Sequence, residues 1–129
     1  NVTPDKLELM FNVRNSTKTS QKDIQILIDK LFKDLDYSFK MTQGSYPFMT
    51  NQDSKIVKNI TKSIVKNLNI QPQYSTAGGT SDARFFGQYK IDTVEFGVIN
   101  DTIHSINERT TIDEVEKLTG IFIDLIQEF

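Results

Sequence analysis

Hydrophobic and polar residues alternate along the first part of the chain and then change to a helical spacing. Residues 7–13 alternate, which is typical of a strand with one apolar face. Residues 21–35 carry apolar side chains at helical spacing and are predicted to form an amphipathic helix. Residues 37–41 alternate again. The pattern predicts a β-α-β unit, half of an open-faced α/β sandwich, whose sheet edges need partners. The apolar positions of the first strand and of the helix are Leu7, Leu9, Phe11, Val13, Ile24, Leu27, Ile28, Leu31 and Leu35.

The second part of the chain follows a connector at residues 47–53. Asp53 or Ser54 can cap the next helix, and Pro72 forbids its continuation. Its predicted buried stripe is Ile56, Val57, Ile60, Ile64 and Leu68.

A loop with two adjacent glycines, at residues 75–82, is predicted to open a short helix at residues 82–86. A strand at residues 93–96 leads toward the only histidine. Thr111 and Glu114 have the spacing of a capping box and predict a final helix. That helix is expected to bury Val115, Leu118, Phe122, Leu125 and Phe129.

Composition and charge narrow the classes of function. The chain has 129 residues, 37% of them hydrophobic, and its formal net charge of −2 gives little electrostatic support for nucleic-acid binding. Lysines at positions 55, 58, 62 and 66 are interpreted as the solvated face of a helix. There are no cysteines, which fits a reducing cytoplasm, and no apolar run approaches the ~20 residues that span a bilayer. The start at Asn1 looks internal, so we expect a truncated or processed polypeptide.

His104 is the strongest candidate for chemistry, because a strand-like apolar stretch delivers its imidazole into a polar segment. Asn100, Asn107 and Glu108 lie nearby and could orient the ring. A catalytic metal site typically takes ~3 protein ligands, so one histidine cannot form such a site alone. The alternative is a surface or strand-end histidine without a ligand.

Two further clusters each have an ordinary explanation as well. The glycines at 78 and 79 and the following Thr80 would let backbone N–H groups approach a ligand closely, but tight turns share this pattern. Arg14, at the end of the first predicted strand, suits a bidentate carboxylate contact, or else a surface ion pair.

In this order along the chain, the motifs resemble the C-terminal part of the succinyl-diaminopimelate desuccinylase family. These enzymes are di-zinc amidohydrolases of the aminoacylase and carboxypeptidase superfamily. The resemblance spans essentially the whole chain. It is carried by Asn-Val-Thr-Pro at 1–4, Leu-Met-Phe-Asn-Val-Arg at 9–14, Pro-Phe-Met-Thr at 47–50, Gly-Gly-Thr-Ser-Asp at 78–82, Glu-Phe-Gly at 95–97, Thr-Ile-His at 102–104 and Asn-Glu at 107–108.

The resemblance implies an α/β fold in two parts. Residues 1–50 would be the end of a lid that mediates dimerisation, and residues 51–129 the C-terminal part of a zinc-peptidase-like catalytic domain. His104 matches a zinc ligand, and Arg14 matches an arginine that holds a substrate carboxylate. The remaining positions that match substrate contacts are Gly79, Thr80 and Asn100, together with Asn1 in a turn that approaches the active site.

The resemblance also implies an activity, the hydrolysis of N-succinyl-diaminopimelate to succinate and diaminopimelate by a cytoplasmic homodimer with two zinc ions per site. The general base and the other metal ligands of the family lie outside these 129 residues, so no catalytic residue is assigned here. We therefore predict that this polypeptide is inactive by itself. The alternatives are another N-acyl amino-acid hydrolase, of acetylornithine deacetylase or carboxypeptidase type, and a non-catalytic dimerising module.

Overall fold

The computed structural model describes residues 2–78 and 81–129. It divides the chain into two compact units, one ending at Pro47 and the other beginning at Phe48. The predicted sites at Asn1, Gly79 and Thr80 lie outside the described residues. The assignment of the two parts to a lid and a catalytic domain stays a prediction.

Four helices make up the regular structure of the described residues, and no β-strand is formed among them. The first helix belongs to the N-terminal unit and the other three to the C-terminal unit. The helices are α1 (Gln21–Leu31), α2 (Lys55–Leu68), α3 (Ala83–Gln88) and α4 (Ile112–Gln127).

The start of α1 is fixed by a capping box. The Asp23 N–H donates to Ser20 Oγ at 3.2 Å, and the Ser20 N–H donates to Asp23 Oδ2 at 2.8 Å. The helix ends at Leu31, earlier than the predicted residue 35. Asp34 and Asp36 follow directly, and negative charge is unfavourable near the carboxyl end of a helix. The apolar residues therefore keep helical spacing as far as Leu35, although the helix has already ended.

The predicted strands on either side of α1 are not confirmed. Residues 7–13 and 37–41 take no regular secondary structure, although the rings of Phe11 and Phe39 stack with centroids 6.3 Å apart. Apolar side chains of the first segment are exposed, Leu9 to 65% for example. Alternation specifies an apolar face, but a strand also needs backbone partners in a ladder and cover for that face. Neither is present within the described residues, so the β-α-β unit is not formed there.

The predicted strand at residues 93–96 is replaced by a contact between a side chain and the backbone. The Thr50 hydroxyl donates to the Thr93 carbonyl at 2.6 Å and accepts from the Thr93 N–H at 3.1 Å. One threonine thus satisfies both backbone groups that a neighbouring strand would have bonded. Val94 and Phe96 then pack against the core without a ladder.

The core of the C-terminal unit lies between α2 and α4. Ile60 and Ile64 of α2 meet Ile121 and Leu125 of α4, all four of them buried. The predicted stripe of α2 is confirmed, since Val57 is also buried and Ile56 and Leu68 are partly buried. Helix α2 ends at Leu68, and the left-handed backbone of Asn69 (φ 54°) forms its C-cap before Pro72 is reached.

The capping box predicted at the start of α4 is confirmed, but its buried face is rotated. The Glu114 N–H donates to Thr111 Oγ1 at 3.1 Å, and the Glu114 carboxylate accepts from the Thr111 N–H at 3.0 Å. Ile121 is 1% exposed, whereas Val115, Phe122 and Phe129 are exposed, so their predicted burial is wrong. The stripe that contacts α2 runs through Ile121 and Leu125, so the predicted burial of Leu125 is confirmed while Ile121 takes the place expected for its neighbour Phe122.

Helix α3 packs against the residue that opens this unit. A side-chain carbon at Gly87 would lie 2.6 Å from Phe48 Cβ, so only glycine permits this approach. The helix spans Ala83–Gln88, two residues beyond the predicted end, and Asp82 is its N-cap residue.

The lysine stripe of α2 is a solvated face, as predicted. Lys62 Nζ lies 2.5 Å from Glu128 Oε1, and Lys66 Nζ lies 2.7 Å from Asp124 Oδ1. These pairs bind the exposed edge of α2 to α4. Among the described residues, no helix has the length and hydrophobicity that crossing a bilayer requires.

Candidate functional site

His104 lies in a loop built from successive turns. The Ile103 N–H donates to the Asn100 carbonyl at 3.0 Å, and the Ser105 N–H donates to the Thr102 carbonyl at 3.0 Å. The Glu108 N–H then donates to the Ser105 carbonyl at 3.1 Å. These bonds turn the chain repeatedly around His104, so its position is set by local structure.

The backbone of His104 is left-handed, with φ of 62°. Such a conformation costs of order 1–3 kcal/mol for a residue other than glycine, and it persists where surrounding contacts enforce it. One of those contacts is the His104 N–H, which donates to Glu108 Oε2 at 3.2 Å. The result is an exposed histidine with a left-handed backbone, a conformation that Asn69 and Lys90 also adopt.

One hydroxyl closes the segment that contains His104. Thr102 Oγ1 donates to the Arg109 carbonyl at 3.0 Å and accepts from the Arg109 N–H at 3.2 Å. Thr102 is half-buried, whereas Arg109 and His104 are exposed. This role of Thr102 could not be predicted from the sequence, because a hydroxyl that bonds a distant backbone leaves no periodic or motif signal.

A cavity of about 430 Å³ opens beside the same loop. Asn100, Thr102 and Glu108 contribute to its lining, together with the apolar Val98, Ile99 and Ile103. Asn100, a predicted substrate contact, therefore faces a space that a small molecule can enter. The lining does not include His104.

The described residues fit a metal site only in part. The imidazole of His104 is exposed, and the hydrogen bond found for this residue in the described part of the chain involves its backbone. No group of three His, Cys, Asp or Glu side chains that could hold a metal is found within residues 2–78 and 81–129. Imidazole nitrogen is a zinc donor, so His104 has the chemistry of a single ligand but not of a complete site.

Among the described residues, Asn100 is the predicted substrate contact that lies in the same loop as His104. Arg14 belongs to the N-terminal unit, where its side chain is exposed. Gly79, Thr80 and Asn1 fall outside the described residues. The glycine-containing loop is nevertheless tied to the His104 segment, because the Ser81 hydroxyl donates a hydrogen bond to the Glu95 carboxylate.

Two carboxylates with lowered pKa values lie in α4, outside the loop that contains His104. Bonds from the Thr110 hydroxyl and the Thr111 N–H lower the pKa of Glu114 at the start of α4. The bond from Lys66, followed by that from Asn67, lowers the pKa of Asp124. Both carboxylates stay charged in order to cap or pair, which is a structural role.

Almost the whole chain, including this loop, matches a known protein family. Residues 3–128 match peptidase family M20/M25/M40. The chain belongs to this family. The match includes both units and all of α1 to α4.

Curated relatives within this family share a common name. The chain is 57% identical over 129 residues to the succinyl-diaminopimelate desuccinylase of Aliarcobacter butzleri, covering 100% of this chain and 35% of that protein. It is 60% identical over 126 residues to that of Sulfurimonas denitrificans, covering 98% of this chain and 34% of the relative. The desuccinylase of Nautilia profundicola is 53% identical over 129 residues, again 100% of this chain and 35% of the relative.

These comparisons confirm the resemblance on which the sequence analysis relied. They also show that the chain spans about a third of the length of the curated relatives it matches. A site in those relatives can therefore draw on residues beyond the stretch that aligns with this chain.

Proposed function

We propose that the full natural chain containing these residues is a zinc-dependent amide hydrolase that converts N-succinyl-diaminopimelate to succinate and diaminopimelate. The observation that carries this proposal is the 57% identity, over all 129 residues, to a desuccinylase. The loop structure supports it, since the loop that contains the exposed His104 also lines a cavity of small-molecule size.

The reaction adds water across an amide bond. The oxygen of water bonds to the carbonyl carbon, the carbon–nitrogen bond breaks, and the released nitrogen takes a proton to leave as an amine. Bound zinc supplies Lewis-acid activation of the carbonyl and of water. Among the residues of this chain, His104 would hold one zinc ion through its imidazole.

The remaining assignments concern the substrate. Arg14 would hold a substrate carboxylate through two parallel hydrogen bonds, which orients the substrate without making bonds at the reacting carbon. Asn100 would contact the substrate from the wall of the cavity. Gly79, Thr80 and Asn1 complete the proposed set, with backbone N–H groups available at the glycine.

The two units would have separate tasks. The N-terminal unit would be the end of a lid through which two copies dimerise, and the C-terminal unit would be part of the catalytic domain. Two zinc ions per site would need ligands from elsewhere in the full chain, because this chain contains one histidine. The 129 residues alone are therefore expected to be inactive. We place the enzyme in the cytoplasm, which agrees with the absence of cysteines.

A related activity is the second candidate, because the family as a whole is broader than the desuccinylases. Another N-acyl amino-acid hydrolase would use the same imidazole and the same cavity. The difference would lie in the acyl group, and a succinyl group carries a carboxylate that an acetyl group lacks. Arg14 would distinguish the two if the carboxylate it holds is that of the succinyl group, since both substrates carry an amino-acid carboxylate.

Turnover measurements on the full natural chain test this proposal. We expect N-succinyl-diaminopimelate to have a far higher kcat/KM than N-acetylated substrates, and activity to disappear on chelation and return with zinc. Preference for the acetylated substrate would favour the second candidate. A protein that dimerises but binds no zinc would indicate the non-catalytic dimerising module.

A further inference from the structure

The Thr102 side chain closes the segment 102–109 by bonding to both backbone polar groups of Arg109. A single hydroxyl donates to the Arg109 carbonyl at 3.0 Å and accepts from its N–H at 3.2 Å. This pair of bonds, here called the Thr102 clasp, brackets His104 on both sides in sequence. Valine at position 102 would keep the shape of the side chain but could form neither bond.

The clasp makes two hydrogen bonds across the segment that contains His104, and the Glu108 carboxylate makes one with the His104 N–H. Thr102 is half-buried, whereas the carboxylate of Glu108, which accepts from the His104 N–H, belongs to an exposed residue. Two bonds from one hydroxyl engage both the N–H and the carbonyl of Arg109, whereas Glu108 makes one bond to His104, so the clasp contributes more to the order of the loop. The left-handed backbone of His104 depends on this order, because a free loop would relax to the common negative φ.

We propose that Thr102 is a positioning residue for the imidazole of His104, which it holds in the orientation that binds metal by closing the segment 102–109. This inference rests on the proposed function, since it takes His104 as a zinc ligand. Removal of a residue that orients a metal ligand typically weakens metal affinity by about 10–100-fold.

The test uses the full natural chain and compares Thr102→Val with Thr102→Ser. Zinc affinity is measured by competition with a chromogenic chelator, at the site that loses its metal in His104→Ala. Thr102→Val is expected to weaken zinc binding there by about 10-fold or more, and Thr102→Ser, which keeps the hydroxyl, to stay close to the wild type. Thr119→Val is the matched control, because the Thr119 hydroxyl donates to the Val115 carbonyl within α4 at 2.7 Å, away from the loop.

A second measurement needs no variant. If the closed clasp favours zinc, zinc must favour the closed clasp by the same factor. Zinc is therefore expected to slow hydrogen exchange of the Arg109 amide, but not that of the Phe32 amide, which bonds to Ile28 in the N-terminal unit. This measurement decides the question if Thr102→Val fails to fold.

The outcomes separate this inference from the proposed function. Wild-type zinc affinity in folded Thr102→Val, or an Arg109 amide whose exchange is unaffected by zinc, would overturn the positioning role. Retention of all zinc in His104→Ala would instead overturn the proposed function, because His104 would then not be a ligand.

Discussion

The hydroxyl of Ser81 donates a hydrogen bond to the carboxylate of Glu95, which lies fourteen positions further along the sequence. Ser81 follows the proposed substrate contact Thr80, and Glu95 begins the segment that leads to His104. This one bond therefore links two stretches that are proposed to contact the substrate and the metal.

Loss of that link should weaken substrate binding more than it affects the fold. Ser81→Ala removes a bond worth about 1 kcal/mol, which corresponds to about a fivefold rise in KM. Steady-state kinetics on the full natural chain measure this rise. Glu95→Gln is the matched control, because glutamine keeps an acceptor oxygen, and its KM should stay near the wild-type value. Equal KM values for Ser81→Ala and the wild type would show that the link does not position the loop.

The packing of α4 on α2 predicts a sharp contrast between two isoleucines of the same helix. Ile121 is 1% exposed and Ile123 is 53% exposed. Ile121→Ala should cost about 2–5 kcal/mol, because it removes buried methyl groups and leaves a cavity. Ile123→Ala should cost no more than about 0.5 kcal/mol. Denaturant unfolding of both variants measures the difference, and similar losses in the two would show that the buried face of α4 is wrongly placed.

Asp124 gives the interface between α2 and α4 a dependence on pH. Its carboxylate accepts from Lys66 Nζ and from Asn67 Nδ2, both at 2.7 Å, and the Lys66 bond is the larger cause of its lowered pKa. A lowered pKa stabilises the folded state above the pKa of the unfolded chain. This stability is lost as the pH falls through the lowered pKa of the folded state.

Substitution of this aspartate should remove that part of the acid sensitivity. Asp124→Asn is expected to lower Tm at neutral pH and to show a smaller further loss on acidification than the wild type. Thermal melting over a series of acidic pH values measures both effects. Lys117→Ala is the control, since Lys117 pairs with Asp113 within one turn of α4 and makes no contact with Asp124. Parallel Tm curves for Asp124→Asn and the wild type would contradict the assignment.

The helices were predicted well because capping residues and the spacing of apolar residues depend only on nearby positions in the sequence. The Thr111 and Glu114 capping box needs only residues three apart, and both of its bonds are present. The stripe of α2 follows from its spacing alone, and Ile60 and Ile64 are buried as expected. The rotated face of α4 was missed because Ile121 and Phe122 are both apolar, and only the partner helix determines which one is buried.

The strands and the details of the site could not be predicted in this way. Alternation at residues 7–13 specifies an apolar face, but partners elsewhere determine whether a ladder forms. His104 was singled out by its residue type, whereas its left-handed backbone and the bond from Thr102 to Arg109 are tertiary features. The family resemblance supplied the chemistry, and Arg14, Gly79, Thr80, Asn100 and Asn1 remain predictions as substrate contacts.

The zinc content of His104→Ala in the full natural chain tests the central claim most directly. Elemental analysis of the purified protein should show the loss of one zinc equivalent per chain, and turnover of N-succinyl-diaminopimelate should fall close to background. Ile106→Ala, a change at a fully exposed apolar residue of the same loop, should retain both equivalents. Full zinc content together with wild-type turnover in His104→Ala would contradict the account.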